Sequence, residues 1–244
     1  MERLYQAPEF ARLYDADNPW SADKDCCLNL AANARSVLDL GCGTGQLAAV
    51  LSKGRRVVGV EPAKAMLDQA RRRPGADAVT WIEGDARDIK LGERFDLVVM
   101  TGHAFQCLLT DADQLAVCRT IAAHLETGGA FIFDSRNPAS EEWRDWVPDK
   151  TLRRFAHPEL GGVEAWNDVR FDPATAIATY DTFYRGAWGA EIKATSKIRF
   201  ADKYEIANRV HAAGLRVDRW MGDWDESPWT ENSPEIIPTG SSFA

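Results

Sequence analysis

Three glycines at alternate positions follow a short apolar run that contains one acidic residue. The stretch VLDLGCGTG at 37–45 places Gly41, Gly43 and Gly45 between a predicted strand and a predicted helix. Glycines in such a turn permit a tight bend and let a ligand approach the backbone N–H groups. The spacing is G-x-G-x-G, whereas the dinucleotide fingerprint is G-x-G-x-x-G. The stretch predicts a ligand site, although a tight strand-to-helix turn alone would also need glycines.

Two further strand ends carry acidic residues. Glu61 ends the second predicted strand, where a carboxylate can accept hydrogen bonds from both hydroxyls of a ribose. Asp85, in GDARDI at 84–89, ends the third strand, where a carboxylate can take the exocyclic amine of an adenine. Ligands of open parallel sheets bind beyond the carboxyl ends of the strands. The three strand ends together therefore predict a site for an adenine nucleoside.

The elements that position these residues follow from hydrophobic periodicity. Short apolar runs at 37–40, 57–60, 79–82, 95–100 and 130–133 alternate with helical patterns. The clearest helix is predicted at 111–125, with Gly128-Gly129 as its end, and closing strands are predicted at 215–220 and 235–237. This alternation predicts an α/β fold with a doubly wound, mostly parallel sheet of seven strands and helices on both faces.

The rhythm changes after Pro138. Residues 192–200 alternate apolar and polar side chains, and 163–171 and 177–184 are predicted to pair with them as antiparallel strands after the fifth strand of the core. The predicted organisation is a helical N-terminal lid at 1–36, a ligand-binding core at 37–139 and 201–244, and an antiparallel insertion at 140–200 that covers the substrate.

Composition limits the partners. The 244 residues carry 29 basic and 37 acidic side chains, a formal charge of −8, without a long basic tract, so no nucleic-acid partner is expected. The N-terminus is too polar for a signal peptide and no run reaches membrane-spanning length, so the expected location is cytoplasmic and away from the membrane. The five cysteines form no metal-binding spacing, and no metal is expected.

With these motifs in this order, the sequence resembles the class I S-adenosylmethionine-dependent methyltransferases of the small-molecule type. The resemblance covers about residues 30–135. It rests on VLDLGCGTG at 37–45, VVGVEPAKAML at 57–67, GDARDI at 84–89, FDLVVMTGHAFQCL at 95–108 and LETGGAFIFD at 125–134. It implies a Rossmann-like fold, S-adenosyl-L-methionine as cofactor, and in-line transfer of a methyl group to a small-molecule acceptor.

The resemblance also implies roles for individual residues. Asp39 would orient the glycine turn or meet the methionine amino group, Gly41 and Gly43 would pass under the methionine part, and Glu61 would hold the ribose. The remaining implied cofactor contacts are Pro62 and Met66 flanking the adenine, Asp85 and the Ala86 amide at its edge, the Thr101 backbone at the amino acid end, and Tyr14 near the methyl group.

The acceptor side is less specific. The fourth strand end, TGHAFQ at 101–106, lacks the N/D-P-P-Y/F tetrad of amino-methylating nucleic-acid enzymes, which favours a small acceptor. His103 is a candidate general base, since imidazole titrates near neutral pH, although lining the pocket or capping a helix would also explain it. Phe105, Arg136 and Asn137 are the predicted acceptor contacts. An arginine there could pair with an acceptor carboxylate or fix the insertion by a salt bridge, and an amine or a carboxylate acceptor is expected.

Other functions stay open at the level of sequence. An NAD-dependent oxidoreductase would use a similar turn, but it expects the third glycine one place later. A catalytically inactive cofactor-binding or scaffold protein is the third possibility. The aromatic residues of the insertion and tail could form a wall of the active site or a dimer surface, so both a monomer and a homodimer are compatible with the sequence.

Overall fold

The computed structural model describes residues 2–243 and contains two β-sheets with helices around them. The strands are β1 Ser36–Leu40, β2 Arg56–Glu61, β3 Val79–Glu83, β4 Phe95–Met100, β5 Leu125–Phe133, β6 Ser135–Arg136, β7 Arg153–His157, β8 Gly161–Asp172, β9 Ile177–Gly186, β10 Ile192–Arg199, β11 Leu215–Met221 and β12 Glu235–Ser242. The helices are α1 Arg3–Gln6, α2 Pro8–Asp17, α3 Ala22–Leu30, α4 Gln46–Leu51, α5 Lys64–Ala70, α6 Asp111–His124, α7 Pro148–Thr151 and α8 Lys203–Ala212. Within residues 2–243, no helix has the length and apolar character needed to cross a membrane.

The larger sheet has the strand order β11-β12-β5-β4-β1-β2-β3, with the short β6 paired to β12. The pairs from β3 to β5 are parallel, and β12 runs antiparallel to both of its neighbours. The predicted doubly wound, mostly parallel α/β sheet of seven strands is therefore confirmed. Because β12 is reversed, its first residue lies at the edge where the parallel strands end.

Alternate residues of the central strands enter two cores on opposite faces of this sheet. Leu38 and Val58 belong to one buried cluster, whereas Val37 and Val57 belong to the other. This is the period of two that a strand imposes on its side chains. A strand covered by helices on both faces is apolar at most positions, which explains the largely apolar runs of β1, β2 and β4, where Asp39 and Asp96 are the acidic exceptions inside β1 and β4.

The boundary between α6 and β5 differs from the sequence prediction. The helix ends at His124, whose ring bonds to the Thr120 carbonyl and the Leu91 amide, and β5 begins at once. The two glycines lie inside β5, where the register with β4 shifts. Gly128 has φ +79°, and a Cβ at Gly129 would stand 3.0 Å from the Phe95 carbonyl oxygen. The glycines therefore permit a bulge in the strand, and the prediction that they end the helix was wrong.

The second sheet is antiparallel, with the order β10-β9-β8-β7. The predicted pairing of 163–171 with 177–184 is present, since β8 and β9 form a hairpin that pairs Asp172 with Ile177. Helices α1 and α2 pack on this sheet through Leu4, Phe10 and Leu13. The roles of the N-terminal segment as a lid and of this sheet as a substrate cover stay predictions.

Candidate functional site

A cleft of about 700 Å³ opens at the carboxyl edge of the parallel strands. It is bounded by the first turn of the α/β sheet, by the N-terminal helices and by one side of the antiparallel sheet. Its walls include Asp39, Gly41 and Gly43 of the first turn, Thr101 and His103 after β4, Asp134 and Arg136 after β5, Tyr14 and Asp17 of α2, and Trp146, Arg153, Tyr180 and Tyr184 from the antiparallel side. Its volume suits a cofactor with a small acceptor.

The three glycines of the first turn have different reasons for being glycine. All three have φ between +54° and +74°, a backbone conformation that residues with side chains rarely adopt. A Cβ at Gly43 would meet no atom within 4 Å, so this position leaves open space beside the cleft. A Cβ at Gly45 would instead stand 2.4 Å from the Trp81 ring. The absence of a side chain at Gly43 therefore leaves the backbone accessible to a ligand, whereas its absence at Gly45 makes room for the Trp81 ring.

Asp39 brings an almost fully buried carboxyl group to the cleft. Its exposed fraction is 2%, and burial together with the nearby Glu61 raises its pKa to about 7. Lys24 lowers the pKa, but its effect is the smallest of the three. An ammonium group bound beside Asp39 would favour the ionised form. This position suits the amino group of an amino acid.

Glu61 bonds to the backbone of the glycine turn. Its carboxylate accepts hydrogen bonds from the Gly43 amide at 3.0 Å and the Ala63 amide at 2.9 Å. Burial raises its pKa, and the two amides partly offset that increase. The side chain therefore links the ends of β1 and β2, and a ribose hydroxyl would have to share its oxygens with these amides.

The other residues expected around the adenine lie outside the cleft walls. Met66 is buried beneath α2 among alanines of α5 and the N-terminal helices. Asp85 forms an ion pair with Arg87 at 2.6 Å, and this hydrogen bond lowers the pKa of the aspartate. Ala86 lies in the core, and Pro62 is half-buried. Contacts of these four residues with an adenine stay predictions.

Thr101 and Tyr14 do line the cleft. The Tyr14 ring lies edge-on to Tyr5, with 6.5 Å between centroids, and burial raises the pKa of its hydroxyl well above the ordinary range. It is therefore a neutral hydrogen-bonding group at any ordinary pH.

His103 lies at the centre of an acidic cluster. Its Nε2 stands 2.9 Å from Oε1 of Glu235 and 3.5 Å from Oδ2 of Asp134. Its backbone N–H also donates to both carboxylate oxygens of Asp134 at 3.1 Å. The residue has φ +60°, an unusual backbone conformation for a residue other than glycine. Burial raises the pKa of Asp134 to about 6, although the His103 ring opposes this increase.

Arg136 reaches the cleft but already has partners in the protein. Its guanidinium lies 2.9 Å from the Glu142 carboxylate, donates to the Gln106 side chain at 3.1 Å and stacks on the Trp146 ring. The sequence left two alternatives for Arg136, a pair with an acceptor carboxylate or a salt bridge that fixes the insertion. The structure contains the salt bridge, which Arg136 forms with Glu142 after β6.

Two of the expected acceptor contacts need correction. Phe105 is fully buried and stacks on Phe133 with 4.5 Å between centroids, so its ring belongs to the core. The Asn137 amide donates to the carbonyls of Glu231 and Ser233, while its oxygen accepts from the Ala139 amide. Asn137 therefore fixes the chain after β6 and is not available to an acceptor.

Sequence reasoning missed several cleft residues. Asp134 directly follows β5 as the last letter of LETGGAFIFD, so the strand-end rule that found Glu61 and Asp85 would also have found it. Glu235 begins the reversed β12, and only the strand order shows that it reaches the same edge. Tyr180, Tyr184 and Arg153 come from the antiparallel sheet. There the alternation of apolar and polar residues predicts which face is exposed to solvent, but it does not predict which element that face meets.

Asp17 joins the N-terminal helices to that sheet. Its carboxylate forms a two-pronged ion pair with Arg153 and accepts a hydrogen bond from the Tyr184 hydroxyl at 2.8 Å. Two residues earlier, Asp15 bonds to Thr44 and Gln46 beside the glycine turn and pairs with Arg73. The end of α2 is thus tied to both walls of the cleft.

The fold and the glycine turn together define an α/β protein that binds a nucleoside-type ligand at its strand ends. A family model described as "Methyltransferase domain" matches residues 37–129. A cypemycin N-terminal methyltransferase from Streptomyces sp. is 38% identical over 84% of this chain and 82% of its own. A dTDP-3-amino-3,4,6-trideoxy-alpha-D-glucopyranose N,N-dimethyltransferase from Streptomyces venezuelae is 35% identical over 78% of each chain.

The structure of an amino pentose methyltransferase from Micromonospora echinaspora, solved with S-adenosylmethionine bound, has the same fold. Its TM-score is 0.73 at 22% identity, over 93% of this chain and 96% of that chain. The chain belongs to the class I S-adenosylmethionine-dependent methyltransferases, and S-adenosylmethionine is its methyl donor. This membership decides against both the oxidoreductase and the inactive-protein alternatives.

Proposed function

We propose that this enzyme methylates the nitrogen of an amine on a small natural-product acceptor. The observation that carries the proposal is the charge of the cleft. Asp134, Asp223 and Glu235 line it, and no lysine or arginine pairs with any of the three among the described residues. The lining cations are already used, because Lys24 pairs with Asp23, Arg136 with Glu142 and Arg153 with Asp17. A carboxylate acceptor would have to compete with these partners for a cation, whereas an ammonium group would meet carboxylates that pair with no lysine or arginine of residues 2–243.

The reaction needs little from the protein beyond position and a route for one proton. S-adenosylmethionine supplies a methyl group on a cationic sulfur, and the acceptor nitrogen must lie on the axis of the bond that breaks. An aliphatic amine is protonated near neutral pH, so it must lose a proton before it can attack. His103 lines the cleft and is the proposed general base.

The cofactor contacts are proposed as follows. Asp39 faces its amino group, the Gly41 and Gly43 backbone and Thr101 run beside its methionine part, and Glu61 takes the ribose. The open space at Gly43 and the uncompensated Asp39 carboxyl group fit an amino acid end at this place. Tyr14 stands over the methyl group from α2, and Pro62, Met66, Asp85 and Ala86 are proposed to surround the adenine.

The names of the relatives support nitrogen as the atom methylated, since one is an N-terminal methyltransferase and another is an N,N-dimethyltransferase of an amino sugar nucleotide. Both acceptor types present an amine.

The test is transfer of radiolabelled methyl from the donor to matched acceptors. The panel contains an amino sugar nucleotide, a short peptide with a free N-terminus, and the hydroxyl and carboxyl counterparts of each. We expect label on amines alone. Transfer to a hydroxyl or a carboxyl group with no transfer to any amine would overturn the proposal.

The role of His103 has its own test on an amine that accepts label. His103→Ala is expected to lower turnover at least about a hundredfold without changing cofactor affinity. An unchanged rate would leave His103 with positioning alone.

A further inference from the structure

We propose that Glu235 is the residue that binds the acceptor amine, with one carboxylate oxygen on His103 and the other on an N–H of the acceptor ammonium. This inference rests on the proposed function. Oε1 of Glu235 lies 2.9 Å from Nε2 of His103. Oε2 is buried and accepts no hydrogen bond from any residue between 2 and 243. The side chain thus has one oxygen committed to the base and one oxygen free.

A buried carboxylate oxygen without a donor is costly to the folded protein. The neighbouring His103 holds a left-handed backbone conformation, which is a second unfavourable feature at the same place. Glu235 begins β12 and His103 lies in the turn after β4, so both features stand at the cleft. Unfavourable features that coincide in a cleft are typical of a site whose missing partner is a ligand.

The charges around Glu235 select the kind of ligand. Asp134, directly after β5, lies 3.5 Å from the same ring nitrogen of His103, and Asp223 lines the same cleft. Arg136, the partner of Glu235 in the β6–β12 ladder, directs its guanidinium to Glu142 and Trp146. A hydrogen-bond donor with a positive charge is therefore the complementary group, and a neutral hydroxyl would leave the negative charge uncompensated.

Aromatic rings line the same cleft. Tyr5, Tyr14, Tyr180 and Trp146 line the cleft, and Trp146 lies edge-on to Tyr180 with 5.5 Å between centroids. Aromatic faces attract ammonium groups, and they continue to do so after methyl groups have replaced hydrogens. The subsite can therefore hold the acceptor nitrogen before and after transfer.

The proton step balances on this arrangement. One N–H bond of the bound ammonium breaks and leaves its electron pair on nitrogen. The proton passes to the Glu235–His103 pair, which shares it across the 2.9 Å contact. The nitrogen then forms a bond to the methyl carbon, the carbon–sulfur bond breaks with its electron pair going to sulfur, and the pair later returns its proton to water.

The experiment compares two acceptors that differ mainly in the basicity of the nitrogen. One is a peptide that begins with glycine or an amino sugar nucleotide, whichever the wild type methylates, and the other carries an aminooxy group in place of the amine. The aminooxy group is uncharged near neutral pH. Glu235→Gln keeps the shape and an oxygen for His103 but removes the charge, and Glu231→Gln is the control, because its side chain is exposed four residues away.

We expect Glu235→Gln to lower kcat/KM for the amine about a hundredfold and for the aminooxy probe less than about threefold, with unchanged affinity for S-adenosylmethionine. Glu235→Asp, which keeps the charge, should restore part of the preference, and Glu231→Gln should behave as wild type.

Equal loss on both probes, or no loss on the amine, would overturn the assignment. Activity that depends on a divalent cation and disappears with a chelator would also overturn it, because His103, Asp134 and Glu235 could each give one ligand atom to a metal. Wild-type transfer to hydroxyl or carboxyl acceptors alone would refute the proposed function, and this assignment with it.

Discussion

The carboxylates at the edge of the parallel sheet differ from those of the antiparallel sheet in what surrounds them. Among residues 2–243, no lysine or arginine forms an ion pair with the buried Asp39 and Asp134, and their pKa values are raised to about 7 and about 6. Asp181 of β9 is also buried, and burial acts to raise its pKa, but Lys193 and Thr195 outweigh that effect and the pKa is lowered. Asp17 of α2 is held by Arg153 and Tyr184.

This difference separates ligand binding from architecture. A buried acid with a cation beside it has found its partner within the chain, and its role is to hold two elements together. A buried acid without a cation destabilises the protein until a positive group arrives from outside. The parallel sheet edge therefore carries buried acids that no lysine or arginine of the described residues pairs with, whereas the acids of the antiparallel side are paired within the chain.

The largest expected effect is on stability and concerns Asp39. A rise in pKa from 3.8 to about 7 means that the folded protein keeps a proton that the unfolded chain has already lost. The free energy of unfolding therefore falls as pH rises from about 4 to about 7, by at most about 4 kcal/mol. Asp39→Asn should remove this loss, so the ligand-free variant should be more stable than wild type at about pH 8.

Urea unfolding without ligand at about pH 5 and pH 8 measures this effect. Asp96→Asn is the matched control, since the backbone amides of Arg35 and Ser36 lower the pKa of Asp96 and its loss should destabilise at the higher pH. If the free energy of unfolding changes with pH in the same way for wild type and Asp39→Asn, Asp39 is not the source of the pH dependence.

The second effect is on cofactor binding at the glycine turn. Gly43→Val should weaken S-adenosylmethionine binding at least about a hundredfold, because its side chain would enter the cleft from a backbone conformation that favours glycine. Calorimetry gives the affinity. Gly54→Val is the control, because Gly54 also has positive φ and open space but lies away from the cleft. Similar losses in both variants would attribute the effect to backbone strain alone.

The third effect concerns the ribose. Glu61→Ala should weaken cofactor binding about ten- to a hundredfold, as expected for the loss of a charge-assisted hydrogen bond. The Gly43 and Ala63 amides donate to different oxygens of Glu61, so Glu61→Gln keeps an acceptor for only one of them, and its comparison with Glu61→Ala measures what that one acceptor contributes to cofactor binding. Wild-type affinity in Glu61→Ala would mean that the ribose lies elsewhere.

The smallest expected effect concerns Asp15 and Asp17 at the end of α2, which bond to different walls of the cleft. Asp15→Asn should weaken cofactor binding about threefold to tenfold, because its partners Thr44 and Gln46 belong to the glycine turn. Asp17→Asn should leave cofactor affinity unchanged and lower kcat/KM for the acceptor by a similar factor, because its partners shape the antiparallel wall. If both variants change the same parameter, the two walls are not independent.

The sequence by itself determined the parallel sheet and the positions around its first turn. The runs 37–40 and 57–60 are apolar apart from Asp39 and Gly59, and Gly41, Gly43 and Glu61 follow at the strand ends. Local pattern and the geometry of parallel strands therefore suffice. The same reasoning assigned Phe105 and Asn137 to the acceptor site, because it fixes where a residue lies along the chain but not the direction of its side chain.

Tertiary structure decided those directions and the acidic cluster. The Phe105 ring turns into the core onto Phe133, and the Asn137 amide satisfies carbonyls of the distant 231–233 segment. Glu235 meets His103 across 132 residues only because β12 enters the sheet antiparallel beside β5. Periodicity depends on neighbours a few residues apart, whereas a catalytic contact depends on which strand lies beside which, and that order is set by the packing of the whole sheet.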